Sequence, residues 1–599
     1  MDLRILVSSL LLLAGPSAVA AQSVLFREAR VFTGDSIIPS ADVLVRDGVI
    51  AAVGRGLTAT SGTNTIEARG MTLLPGFIDA HTHSFGDALR EALMFGVTTN
   101  LDQFTEATML RAVQAEQAAG RADARADLYS AGVLVTAPGG HGTQYGFPIP
   151  TITTPGSAEA FVAARIAEGS HWIKIVMEDG STFNMTRPTL DEATMRAVIT
   201  AAHRQDRIAV VHVSTAAHAR AAIDAGADGL VHLFVDRAPP ADLAGLAAAR
   251  GAFVIPTLVV LKSMTGVGGA APLADDPRIA PYLAPASRML VRQGFQVRPG
   301  ASAPRYEHAM DAVRRLHAAG VPILAGSDAP NPGTAHGAAL HRELELLVAA
   351  GLSPLDALRA ATSEPARRFR LPDRGRIAPG LRADLVLVEG DPVQDITATR
   401  AIAGVWKAGV AADRAAFASA VAAQIAAAAN PGAALATGLI SDFETGAAAA
   451  SFGTAWTVTT DAMAGGGSTA RLDVTDGGAQ GSTKALRISG EISGTLPYAW
   501  AGATWSPGAG QMQPADLSSK REIVFDARGC ATTCRVLVFA EASGMTPLMH
   551  EFTAGAEWTE IAVPWTALGT DGRGVMAIML LGGPQPGAFA FEVDNVRLR

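Results

Sequence analysis

Leu73-Leu74-Pro75-Gly76-Phe77-Ile78-Asp79-Ala80-His81-Thr82-His83 is an apolar run that ends in two histidines spaced two apart. Residues two apart on a strand face the same side, so His81 and His83 present two imidazoles to one point. The construction recurs downstream. Val210-Val211-His212, Leu230-Val231-His232 and Ile323-Leu324-Ala325-Gly326-Ser327-Asp328 each close an apolar run with a residue able to hold a metal ion. Trp172-Ile173-Lys174-Ile175-Val176 carries a lysine where an apolar side chain is expected. One such residue per buried strand is what a metal site at the mouth of a parallel barrel requires.

Around these runs, apolar strands alternate with amphipathic helices such as Leu190 to Gln205 and Pro304 to Ala319. Eight candidate strands fall near 74–80, 97–103, 128–136, 172–177, 208–213, 229–233, 253–260 and 322–327. They predict an α/β fold, a (β/α)8 TIM-like barrel over residues 73–370. Strand-rich flanks precede and follow it, at 22–72 and 371–412. Ala41 to Ile50 reads as a hairpin turned at Asp47-Gly48, and Ala383 to Val388 and Ala401 to Val410 return later, so the flanks predict one small composite β-sandwich. An alanine-rich helix and linker occupy 413–438 and end at Asn430-Pro431-Gly432. From 439 to 599 strand alternation takes over, as in Ala485 to Ile488, Ile523 to Phe525, Val536 to Phe539 and Ile561 to Val563, and predicts a separate C-terminal all-β, jelly-roll-like sandwich.

A chain of 599 residues is too long for one core. Its net charge of -8 and lack of a long basic run give no electrostatic reason to expect nucleic acid. Arg4, the apolar stretch Ile5 to Ala14 and the small-x-small Ala18-Val19-Ala20 read as a secretory signal over 1–21, with an uncleaved anchor as the alternative. A cleaved signal implies a periplasmic or secreted protein without membrane attachment. Cys530 and Cys534 are the two cysteines. In an oxidising compartment they are expected to pair, the alternative being two free thiols in a surface turn.

The six strand-end residues are His81, His83, Lys174, His212, His232 and Asp328. Singly, each has an ordinary structural reading, a hydrogen-bonded core histidine or a buried ion-pair partner. Together they are hard to produce by packing alone. Lys174 sharpens the reading. An ammonium about 4 Å from a dication is repelled by several kcal/mol at an effective dielectric near roughly 20. Lys174 is therefore outside the site, neutral, or chemically changed. A neutral lysine that adds carbon dioxide becomes a carbamate, an anion with two oxygens able to bridge two metals. Two dications, one carbamate, one aspartate and one bridging hydroxide leave about one net positive charge, suited to polarising a carbonyl.

Pro75 to His83, Lys174, His212, His232, Gly326-Ser327-Asp328, and Gly375-Arg376-Ile377 followed by Ala383-Asp384-Leu385 resemble the amidohydrolase superfamily of metal-dependent hydrolases over about residues 23–410. The resemblance implies two divalent ions, usually zinc. His81, His83 and Asp328 would hold one, His212 and His232 the other, and carboxylated Lys174 would bridge them. Deaminases and imidazolonepropionases of the superfamily share the paired histidines but normally use one metal without such a lysine. The closer likeness is to a secreted, binuclear, peptidase-like group with prolidase-like and ochratoxin-hydrolysing members. Pro138-Gly139-Gly140-His141-Gly142 and His336-Gly337 through His341 to Leu346 support it.

The implied reaction is hydrolysis of a peptide-like or N-acyl amino acid amide bond in a small molecule. Asp328 would take the proton from water and pass it to the leaving nitrogen. Asp328, His141 and His232 are the candidate catalytic residues, and His141 and Tyr145 the candidate substrate contacts. A lactonase or another C–N or C–O hydrolase on the same site is the alternative. A glycan-binding surface protein with a scaffold barrel is the reading from another class, and the intact ligand set argues against it. His171, His203, His218, His308 and His317 are expected to be solvated or structural, His336 to stand behind the site and His341 to pack in a helix. Five of the seven tryptophans lie in the tail. With Asp442-Phe443-Glu444 and Phe591 to Arg597, the tail resembles sandwich domains related to complex I intermediate-associated protein 30 and to carbohydrate-binding modules. That implies a glycan ligand or, alternatively, a structural or homo-oligomerisation role.

Overall fold

The computed structural model describes residues 23–120, 124–144, 149–295, 305–429, 437–461, 466–494, 499–508, 510–530, 533–543 and 546–599. The expected signal at 1–21, the linker Asn430-Pro431-Gly432 and Tyr145 lie outside the described residues.

Strand β1 (Val24–Phe32) is followed by the expected hairpin, β2 (Ile37–Arg46) and β3 (Val49–Gly54). Its turn residues Asp47 and Gly48 have φ of 49° and 79°, the backbone of a primed two-residue turn that matches strand twist. β4 (Asn64–Glu67) and β5 (Met71–Pro75) both pair parallel to β1. The segment read as one barrel strand near 74–80 is in fact two strands. β5 belongs to the flanking sheet, and the barrel starts with β6 (Phe77–Thr82), not at residue 73. Gly76 stands between them, at a place where a Cβ would strike the Thr98 side chain.

β6, β7 (Val97–Asp102) and β8 (Asp127–Ser130) form one parallel sheet. β9 (Ile173–Met177), β10 (Ala209–Val213), β11 (Gly229–Val231) and β12 (Phe253–Ile255) form a second. Isolated parallel bridges Val135–Ile175, Val254–Ile323 and Thr82–Ala329 join them and bring residues 322–329 in as the eighth segment. The circuit is consistent with a (β/α)8 barrel. The expected eighth strand is held by single bridges instead of a ladder. The expected strand 253–260 stops at Ile255, and Leu258–Met264 is a helix. Leu258 to Leu261 is buried on all sides, so its apolar run carries no period that separates strand from helix. Ile78, Leu101, Val210, Val231 and Leu324 form the interior cluster. Outward residues such as Val211 and Val254 pack with helix residues such as Val198 and Leu316.

β13 (Leu385–Glu389), β14 (Ile402–Lys407) and β15 (Val410–Ala411) then return to the first flank. β13 pairs antiparallel with β5, which also pairs with β1. The two flanks therefore join edge to edge in a single eight-stranded sheet, β15-β14-β13-β5-β1-β2-β3 with β4 on β1, and buried residues of both flanks, such as Phe26 and Leu385, share one core. The alanine-rich segment is helical over Arg414–Ala429.

The tail forms separate all-β sheets. A six-stranded sheet holds Leu439–Ser441, Thr469–Asp476, Lys484–Ile492, Glu522–Arg528, Thr559–Pro564 and Gly587–Leu598. A five-stranded sheet holds Thr457–Thr460, Ala501–Trp505, Cys534–Ala540, Leu548–Phe552 and Val575–Gly582. Both contribute to one core, with Ile488, Phe525 and Phe591 from the first and Trp505, Val538 and Ile578 from the second. Trp456, Trp505 and Trp565 are buried in that core and so form no surface platform. Cys530 and Cys534 are joined in a disulfide.

Candidate metal centre

Alternation along β6 places Ile78 and Ala80 in the barrel interior, which would send His81 and His83 the other way. A β-bulge supplies the correction. β6 gains one residue against β7 between Asp79 and Thr82, and the parity of the strand flips there. Asp79 pins this turn of chain. Its carboxylate accepts the backbone N–H groups of His81 (3.2 Å) and Ser327 (2.9 Å) and the Ser327 hydroxyl (2.6 Å). Asp328 N–H donates to the His81 carbonyl and His83 N–H to the Ala329 carbonyl, so the first and eighth segments are bonded directly at the site.

His232 presents the same difficulty on β11. Leu230 packs outward and Val231 inward, so a regular continuation would turn His232 outward. The backbone at His232 takes φ 63° instead, and that at Asp328 takes φ 54°. Both are left-handed conformations that non-glycine residues adopt rarely and that recur at functional sites. The result is convergence. Nε2 of His81 and Nε2 of His83 each lie 3.2 Å from Oδ1 of Asp328, and Nδ1 of His232 lies 3.9 Å from its Oδ2. The His81 and His232 rings are 4.7 Å apart, and those of His212 and His232 4.5 Å. Ligand atoms of His81, His232 and Asp328 all fall within 4.8 Å of one another.

The electrostatics of this cluster suit a cation. Burial lowers His81 to a pKa of about 3 and pushes His232 well below its ordinary value, so both imidazoles are neutral near pH 7. Burial acts to raise Asp328, but the neighbouring His81, His83 and His232 hold its carboxylate well below the usual range. Both ring nitrogens of His81 and Oδ1 of Asp328 are buried without a hydrogen-bond partner. Imidazole nitrogens and an anionic oxygen facing one another at 3.2 Å are a donor set for a divalent ion such as zinc. Lys174 is 3% exposed and paired in register with Val210, whose side chain faces the interior. Its amine makes no hydrogen bond or ion pair among the described residues, and burial lowers its pKa to about 7, against the pull of Asp328 and Asp102.

Three contributors were not read from the sequence. Glu178 Oε2 lies 3.4 Å from Nε2 of His212. Burial would raise this carboxyl, but His212 and the N–H of Gly180 bring it down to about 2. Thr257 Oγ1 lies 2.7 Å from Nδ1 of His232. Each contact occupies one ring nitrogen and leaves the other for an ion, the arrangement by which outer groups orient metal-binding histidines. Glu178 keeps the parity of Lys174 along β9, a signal that alternation could have supplied. Thr257 carried none. The third is Arg187, on the wall of a cavity of about 500 Å³ that opens over Lys174, His212, His232 and Asp328. His141 lines the same cavity, its ring 5.1 Å from that of His212, and burial lowers its pKa to about 3. His336 Nε2 donates to the His83 carbonyl at 3.1 Å, behind the cluster, and His341 bridges Thr399 and the Phe95 carbonyl away from it.

Residues 72–412 match the Amidohydrolase family. Ochratoxinase of Aspergillus niger is 24% identical over 436 residues, covering 62% of this chain and 82% of that protein. Imidazolonepropionase of Deinococcus deserti is 27% identical over 407 residues, covering 62% and 92%. A 53% identity to adenine deaminase of Methanoregula boonei is confined to 58 residues, so the chain spans only 10% of that relative. A solved Xaa-Pro dipeptidase with methionine bound in its active site superposes with a TM-score of 0.54 at 22% identity, over 65% of this chain and 99% of that one. At that identity the likeness is one of fold.

Proposed function

The chain belongs to the amidohydrolase family, and from that premise we propose that it is a binuclear metal-dependent hydrolase of peptide-like or N-acyl amino acid amide bonds. The observation that carries the reading is the meeting of His81, His232 and Asp328, with His83 at 3.2 Å from Asp328, unpartnered atoms on His81 and Asp328, and a buried lysine at the same cavity. In this reading His81, His83 and Asp328 would hold one ion, and His212 and His232 a second, with a carboxylated Lys174 as the further ligand. A pKa near 7 leaves much of the Lys174 amine neutral at physiological pH, the form that adds carbon dioxide. A pair of zinc ions there would polarise the amide carbonyl and acidify a water. Asp328 faces the cavity as an ionised carboxylate and would accept a proton from the attacking water and deliver it to the leaving nitrogen. His141, neutral at pH 7, is placed to hydrogen-bond the substrate carbonyl. Glu178 and Thr257 keep His212 and His232 in one tautomer each. The apolar cavity walls exclude water from the reacting bond. The N-terminal sequence supports a periplasmic or secreted location for this activity.

The experiment is metal content per chain with a substrate panel of N-acyl amino acids, dipeptides and lactones. Two ions per chain and amide hydrolysis are expected. A single ion with an unmodified Lys174 amine overturns the binuclear reading, and lactone turnover without amide turnover overturns the substrate class.

A further inference from the structure

Asp102 closes β7 and is fully buried, yet it belongs neither to the donor set described above nor to the cavity lining. Its carboxylate gathers four donors. Oδ2 accepts the Ser84 N–H at 2.5 Å. Oδ1 accepts the Phe104 N–H at 3.0 Å, the Thr105 hydroxyl at 2.5 Å and the Ser130 hydroxyl at 2.8 Å. Ser130 ends β8, and its oxygen also accepts the Gly132 N–H at 2.8 Å, so its hydrogen is directed to Asp102. One carboxylate thus ties together the ends of β6, β7 and β8. Every partner is a donor, an arrangement that favours the ionised form against the cost of burial. Among the described residues Asp102 forms no ion pair.

The bond to Ser84 matters because His83 comes just before it. His83 is the most open of the candidate ligands, its side chain 28% exposed against 0% for His81. Close packing holds the His81 ring on every side and cannot hold that of His83 in the same way. The peptide between His83 and Ser84 is held instead at both of its polar groups. Its N–H donates to Asp102, and its carbonyl accepts from His336 Nε2 at 3.1 Å. Asn100 Nδ2 adds a bond to Ser84 Oγ at 3.1 Å. A planar peptide fixed at both ends fixes the backbone of His83, and with it the aim of the imidazole at Oδ1 of Asp328, 3.2 Å away. The Asp102 charge also reaches the site: burial lowers the Lys174 amine, and Asp328 and Asp102 oppose that shift.

We propose that Asp102 is a positioning residue of the candidate metal centre: through the Ser84 N–H it sets the direction of His83, and so the hold on the ion that His81, His83 and Asp328 would share. The inference rests on the metal-centre reading above and goes beyond it, because Asp102 would touch neither ion nor substrate. A buried carboxylate with no cation of its own also places negative charge behind a site that gathers positive charge.

Asp102→Asn keeps the size of the side chain, but one oxygen then replaces two and the NH2 group turns toward a donor. The full chain, stripped of metal, is titrated with zinc against a chelating dye. In Asp102→Asn one of the two ions is expected to bind about 10- to 100-fold more weakly, with the other unchanged. The visible spectrum of the cobalt-loaded protein is expected to change with it, because one histidine of a cobalt site moves. Equal weakening of both ions marks a general loss of structure and overturns the proposal. So does a wild-type titration and spectrum in the folded variant. Where Asp102→Asn does not fold, Asp102→Glu is read instead. It keeps the charge and displaces the carboxylate by one methylene, so a changed cobalt spectrum supports the proposal and an unchanged one overturns it. A wild type that binds a single ion overturns the binuclear reading alone, and the cobalt spectrum of that ion then decides the role of Asp102. A wild type that binds none overturns both.

Discussion

In the proposed reaction Asp328 meets two demands at once, completing the candidate ligand cluster and carrying a proton, from a left-handed backbone with φ 54°. Asparagine adopts the same conformation and keeps an oxygen donor but cannot take the proton. Asp328→Asn is therefore expected to lower kcat by at least about 100-fold while retaining part of its metal, measured by steady-state kinetics beside elemental analysis. Near wild-type turnover in this variant would remove Asp328 from proton transfer. The histidines make a pH prediction. His81 and His141 have pKa values lowered from 6.5 to about 3, so between these values the unfolded chain binds protons that the folded chain does not. Stability then rises with pH across that window and is lost as pH falls from 6.5 toward 3. The urea midpoint of the chelator-treated protein is expected to drop between pH 7 and pH 4. A flat midpoint would show that these imidazoles are not buried neutral.

The short helix Leu258–Met264 positions the site and lines the cavity with Val260, Leu261 and Met264. Its first N–H groups, those of Leu258 and Val259, donate to the buried carboxylate of Glu343 at 2.9 and 2.8 Å. Thr257, just before it, is a β-branched residue at φ 48°, an uncommon and strained combination that the capped helix holds in place. That geometry directs the Thr257 hydroxyl to His232. Thr257→Val keeps the shape and deletes the hydrogen bond. It is expected to weaken metal affinity by about 10- to 100-fold with little change in secondary structure, read by competition with a chelating dye and by circular dichroism. Unchanged affinity would mean that His232 is oriented by packing alone.

The barrel with its flanking sheet and the C-terminal sheets have separate cores, one running through residues such as Leu128, Val211 and Leu347 and the other through Trp505, Phe525 and Ile578. A perturbation in one core has no packed path into the other within these clusters. The Cys530–Cys534 disulfide closes a loop of sequence separation 4 in the tail. So short a loop restricts the unfolded chain little, which puts its contribution at about 2 kcal/mol. Replacing both cysteines with alanine should lower the thermal midpoint of the tail and leave metal content and turnover of the barrel unchanged. A parallel loss of activity would reveal coupling between the two units.

The order of the candidate ligand residues was legible because each closes or interrupts an apolar run. Burial of a strand fixes its composition, and a lone polar residue in such a run stands out before any fold is known. The βα rhythm, the Asp47-Gly48 hairpin and the change of character in the tail were legible for the same reason, since local periodicity and turn chemistry are properties of neighbouring residues. What the sequence left open depends on contacts between distant ones. A bulge after Asp79 and positive φ at His232 decide that His81, His83 and His232 face the cavity, against simple alternation. Glu178, Thr257 and Arg187 join the site from segments whose paths are set by packing and by bonds to Gly180, Glu343 and Asp179. The extra sheet forms because β5 can pair at once with β1 and with β13, whose residues lie more than 300 positions further along (Leu385 opposite Pro75, roughly that separation). Spacing along a chain can nominate ligands. Their direction is a property of the closed backbone, where hydrogen bonds between remote strands outweigh local preference.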